Sequence, residues 1–147
     1  MFDTIECKVS LPLPEQLQKL NIDWSAQRFQ TKSLENVMAE YIIESDFSLR
    51  LCEEKQRYHL YTKEEMEILK FKPWSPIKEV EVISKDFVKI NYHGIIKFYD
   101  IISLEDDSEN LVEFDAYFVY GKLDTIKLSK FELFRAKKPS LDWSKKR

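Results

Sequence analysis

The chain has 147 residues, of which 44% are hydrophobic and 14% aromatic, and its formal net charge is −3. That length suits one domain with its own core, and that composition excludes an intrinsically disordered chain. Only Gly94 and Gly121 are glycine, against an average usage of about 7%, which counts against folds that need a Gly-rich phosphate loop.

Phe2 to Val9 mixes β-branched and aromatic residues with polar ones and reads as a short opening strand. Pro14 suits the first position of a helix, because its missing N–H is not needed there. Leu13, Leu17 and Leu20 fall on one face of that helix, over 14–20. Arg28 to Lys32 and Val37 to Glu44 read as strands, Ser45-Asp46-Phe47 as a turn, and Ser48 to Tyr61 as a returning strand. Thr62 with Glu65 three residues on has the form of a capping box and opens a helix over 63–70, before Pro73.

The alternation is longest in the second half. From Asp86 to Leu104, Val88, Ile90, Tyr92, Gly94, Ile96, Phe98, Ile102 and Leu104 share one face, while Lys89, Asn91, His93, Lys97 and Tyr99 share the other. Glu105 to Asn110 reads as an acidic hairpin loop. In the strand 111–120, Val112, Phe114, Ala116, Phe118 and Tyr120 point inward. A third strand, 124–134, has Ile126 and Leu128 inward. Its parity then slips, and a β-bulge near Ser129 or Lys130 restores it. The fold class is mainly β, at the margin of α+β: an antiparallel twisted sheet built on a three-stranded meander (86–104, 111–120, 124–134) with short helices near 14–20 and 63–70. The domain spans 1–136. Residues 137–147 form a basic tail: from Arg135 onward there are six basic residues and one acidic one, which leaves −8 on residues 1–134.

The phrases FDTIECKVSLPLP, FQTKSLEN, NYHGIIKFYD and EFDAYFVYGKLDTIKL resemble small uncharacterised proteins of tailed bacteriophages. The resemblance covers most of the chain and carries no assigned activity. It implies a setting, the inside of an infected bacterium, and no catalytic residue.

Candidate chemistry is sparse. His93, with Tyr99 and Asp115 on the same outward face, is the one grouping that could serve acid–base work or hold a small molecule. Pairing Lys97 with Tyr117 and Tyr99 with Asp115 gives the outward rows Lys97–Tyr117–Lys127 and Tyr99–Asp115–Ser129, which equally describe a solvated face. Gly94 leaves room on the inner face for a bulky residue, such as a Trp. His59, Cys7 and Cys52 lack the spacing of a zinc site, and no metal or cofactor is expected. Both cysteines read as free thiols of a cytoplasmic protein. No apolar run has the length of a membrane span, and MFDTIECK does not resemble a signal peptide. Acyl-transfer, dinucleotide and Walker motifs are missing, which argues against an enzyme. Trp24 and Trp74 read as core or edge-covering residues. Leu141 and Trp143, with Lys145, Lys146 and Arg147, form the expected partner-binding segment, since Trp dominates many interfaces. The expected function is therefore a non-enzymatic accessory protein that binds a host or phage protein, of a host-takeover or anti-defence type. The alternative is a small enzyme or small-molecule-binding protein using the sheet face around His93. Nucleic acid is expected only as a weak, salt-dependent contact of the tail.

Overall fold

Alternation is visible in the first strand of the computed structural model, which describes residues 1–69 and 77–136. In β1 (Asp3–Cys7), Asp3, Ile5 and Cys7 are buried and the residues between them are not. The first helix, α1 (Glu15–Gln18), is shorter than the sequence suggests. Pro14 is its N-cap, with extended backbone, and not its first helical residue. Leu17 is fully buried. There follow β2 (Phe29–Thr31), β3 (Glu40–Ile43), β4 (Leu49–Leu60), α2 (Lys63–Leu69), β5 (Ile77–Lys89), β6 (Gly94–Ser103), β7 (Glu109–Val119) and β8 (Lys122–Arg135). The architecture is mainly β. Trp74 and the segment 137–147, with Leu141, Trp143, Lys145, Lys146 and Arg147, lie outside the described residues.

The strand order is β5-β4-β3-β1-β2-β6-β7-β8. The sheet is mixed: β1 pairs with β3 in parallel, whereas β1/β2, β2/β6, β3/β4, β6/β7 and β7/β8 are antiparallel. The parallel pair arises because the chain leaves β2 on one side of β1 and enters β3 on the other. Asn36 and Met38 take positive φ on that passage, of 59° and 61°. They interrupt the strand expected over 37–44, so only Glu40–Ile43 pairs.

The strand expected over 86–104 is two strands. β5 ends at Lys89, and β6 begins at Gly94. Between them, Ile90 donates its N–H to Leu49 O at 2.9 Å, and Tyr92 O accepts from Gly121 N–H at 2.6 Å. These backbone groups serve cross-loop bonds in place of a ladder. β5 also begins at Ile77, well before the expected start. The bulge lies where the slipped parity placed it: Glu113 opposes Lys130 and Phe114 opposes Leu128, which leaves Ser129 as the extra residue.

The chain divides into two compact units, Met1–Leu51 with the residues from Lys89 onward, and Cys52–Val88. The first contains the buried core. Phe29 sits at its centre, with ring centroids 5.2 Å from Phe98 and 5.8 Å from Phe114. Trp24 stacks on Phe29 at 6.4 Å, so it is a core-covering residue. Val9, Leu11, Leu13, Leu20 and Ile22 pack on the same cluster. The two sides of the sheet meet at one end of this unit, where Ser48 bridges to Lys122 and Leu123 N–H donates to Phe47 O at 2.7 Å. The second unit consists of the outer part of β4, α2 and β5 up to Val88.

Candidate functional site: an aromatic rim on three joined loops

Val119 pairs with Lys122, so β7 and β8 are joined by two residues, Tyr120 and Gly121. Both have positive φ, of 48° and 80°, the pattern of the hairpin turn whose twist matches that of its strands. Only glycine fits the second position. A Cβ there would lie 2.4 Å from Ile90 O. The turn therefore sits directly on the 90–92 backbone, and its own C=O accepts from Leu49 N–H at 3.1 Å. The loops at 44–48, 90–93 and 119–122 are thus tied together by main-chain bonds. The Lys122 side chain adds a further bond, Nζ donating to Asp46 O at 3.3 Å.

Several aromatic side chains emerge from this junction. The His93 ring lies 5.2 Å from Tyr120 and 6.0 Å from Tyr117, the latter edge-on. Tyr120 is 74% exposed, which corrects its expected inward placement: the turn begins at this residue and lifts it off the sheet. Ile95, directly opposite Tyr117, is 52% exposed, and Phe47 on the adjoining loop is exposed as well. Tyr92, the neighbour on the other side of His93, fills the space over Gly94. A Cβ on Gly94 would meet its ring at 3.6 Å, so Tyr92 stands where a Trp was expected.

Beyond the rim the same face becomes polar, and the register differs from the expected one by two residues. Ile95 faces Tyr117, which faces Thr125; Lys97 faces Asp115, which faces Lys127; and Tyr99 faces Glu113, which faces Lys130. Parity is as expected, while the length of the 104–108 turn sets the offset. Lys97 Nζ donates to both Asp115 oxygens, at 3.1 and 3.3 Å. Asp115 thereby holds the ammonium above its ordinary range. Ser129 Oγ donates to Glu113 at 3.0 Å. His93, Tyr99 and Asp115 thus share a face without forming one site. The ring contacts of His93 are to tyrosines, the carboxylate of Asp115 is engaged by Lys97, and Tyr99 lies two rows from Tyr117.

Two clefts open elsewhere in the first unit. One, of about 270 Å³, lies between α1 and the 104–106 turn, with Lys19 facing Glu105 and Asp106 across its lining. The other, of about 320 Å³, is walled by Leu11, Leu13 and Trp24 over Cys7. The Cys7 thiol donates to Val9 O at 3.3 Å, and burial pushes its pKa up to about 11, so it is no nucleophile at neutral pH. His93, Tyr99 and Asp115 line neither cleft. Among the described residues no group of three His, Cys, Asp or Glu side chains is gathered for a metal ion, and no helix is long and apolar enough to cross a membrane.

The second unit carries its own exposed apolar surface. Tyr58, Leu60, Ile68, Val80, Val82, Ile83, Phe87 and Val88 are all exposed. Polar pairs on the unit include His59 Nε2 with Glu81 at 2.9 Å, Lys85 with Glu54 at 3.2 Å, and Lys78 with Glu65.

No protein family, curated protein or solved structure matches this chain.

Proposed function

We propose that the chain is a non-enzymatic accessory protein that binds another protein. In the setting the bacteriophage resemblance implies, that partner is a host or phage protein inside an infected bacterium. The observation that carries this reading is the aromatic rim of His93, Tyr117 and Tyr120, exposed beside Ile95 and Phe47 on three loops tied by backbone hydrogen bonds. Tyrosines are enriched among residues that dominate interface energy, and a platform already held in place loses little freedom on binding. The small-molecule alternative is less well supported, because His93 is exposed and Asp115 is already paired with Lys97. The basic segment with Leu141 and Trp143 is proposed to assist at the periphery.

The test is retention from nuclease-treated bacterial lysate by the full-length chain, by Tyr117→Ala/Tyr120→Ala, and by a chain ending at residue 136. The full-length chain is expected to retain one stoichiometric protein. The double variant is expected to bind it at least about thirty-fold more weakly, with an unchanged unfolding transition. Equal retention by all three chains overturns the reading. Capture that disappears on nuclease treatment assigns the contact to nucleic acid instead.

A further inference from the structure

β5 ends the strand order, so among the described residues no strand lies outside it. It runs for thirteen residues without proline, Ile77–Lys89, where strands average about five or six. The opposite edge is protected differently. β8 is interrupted by three register shifts against β7, which blunt an edge. β5 exposes Val80, Val82, Ile83 and Phe87. A two-stranded hairpin is marginal in water by itself and gains independence by adding strands.

The sequence of β5 specifies which strand would add. We propose that β5 pairs antiparallel with β5 of a second copy of this chain, about a two-fold axis at Val82. In that register Lys78 faces Asp86, Glu79 faces Lys85 and Ile77 faces Phe87, and symmetry repeats each pair. Residues directly opposite lie on one face of the pair, so Lys78, Glu79, Lys85 and Asp86 each meet an opposite charge, while Glu81 faces Ile83. The adjacent registers do not match. Because opposed residues share a face, the neighbouring two-fold registers are centred on Glu81 and Ile83: the first sets Glu81 against its own copy, and the second sets Lys78 against Val88 and Glu79 against Phe87. Like charges in direct opposition are destabilising, and the Val82-centred register pairs more opposite charges than either neighbour. Lys78, Glu79, Lys85 and Asp86 are all exposed. The ammonium groups of Lys78 and Lys85 already meet Glu65 and Glu54, and three donors each allow a shared acceptor. The surface is distinct from the aromatic rim, so the Tyr117 and Tyr120 substitutions leave this association unchanged.

The experiment is sedimentation equilibrium of the full chain, with thiol cross-linking to read the register. Wild type is expected at twice the chain mass. Glu79→Lys and Lys85→Glu singly place like charges face to face and are expected to weaken association about ten-fold, while the double swap restores it. In a Cys52→Ser background, Val82→Cys is expected to cross-link on oxidation, because the two introduced thiols face each other across the axis. Val80→Cys, which faces Ser84, is not. A monomer at all concentrations, a dimer that Val82→Cys fails to cross-link, or a charge swap that does not restore association overturns the proposal.

Discussion

Asp3 is fully buried, and its carboxylate accepts from the N–H groups of Asn36 at 2.8 Å, Val37 at 3.0 Å and Ala39 at 2.9 Å. Those three donors belong to the passage from β2 to β3, whose positive-φ residues cannot join a ladder. Asp3 therefore replaces the missing strand partners. Asp3→Ala strands these donors and is expected to cost about 3 kcal/mol, measured by chemical denaturation. A loss below about 0.5 kcal/mol would show that water replaces the carboxylate. Cys7 makes a second residue-scale case. Burial raises its thiol from 9.0 to about 11, ahead of an opposing backbone hydrogen bond at Val9. The unfolded thiol then ionises first, so its contribution to stability is intact below pH 9 and is lost as pH rises toward 11. At pH 8 Cys7 is expected to stay unmodified by a thiol reagent in the native protein and to react on unfolding, with Cys52 modified first. Mass mapping of the labelled peptides decides it.

At the scale of elements, α2 begins as the sequence indicates. Thr62 Oγ1 accepts from Glu65 N–H at 3.2 Å, and Glu65 Oε1 accepts from Thr62 N–H at 3.3 Å. Both halves of the capping box are formed. Thr62→Ala is expected to destabilise this helix by about 1 kcal/mol, read as faster amide exchange of residues 63–68 with unit-one amides unchanged. The long alternating stretch shows the limit of pattern reading. Ile90 and Tyr92 keep the inner parity and pack against the core, yet their backbone groups bond across to Leu49 and Gly121. Periodicity reports which side a residue faces and does not report which strand its backbone pairs with. Tyr120 fails for a related reason: it continues the parity of β7 but is the first residue of the turn. The Ser129 bulge was legible because an extra residue inverts the parity of everything after it.

At the scale of the whole molecule, the two units rest on different forces. The first buries an aromatic and aliphatic core. The second exposes its apolar side chains and carries surface ion pairs, each worth little. In that unit Lys78 holds the Glu65 carboxyl below its ordinary value, and Lys85 does the same for Glu54. For lowered carboxyls the sign is fixed: the stabilisation is present above pH 4.5 and is lost as pH falls through the folded values. Intrinsic-rate-corrected protection of residues 52–68 and 77–88 is therefore expected to fall between pH 5 and 3, before that of β6 and β7. Uniform loss across both units would refute this. Local pattern was enough for the β class, the inward parity of Ile96, Phe98, Val112, Phe114 and Phe118, the capped helix and the bulge, because each follows from local periodicity or local hydrogen bonding. The parallel β1/β3 pair, the two-residue offset between β6 and β7, and the gathering of His93, Tyr117 and Tyr120 came only with the folded chain. These depend on loop lengths and on backbone bonds between segments far apart in the chain, which no local pattern encodes.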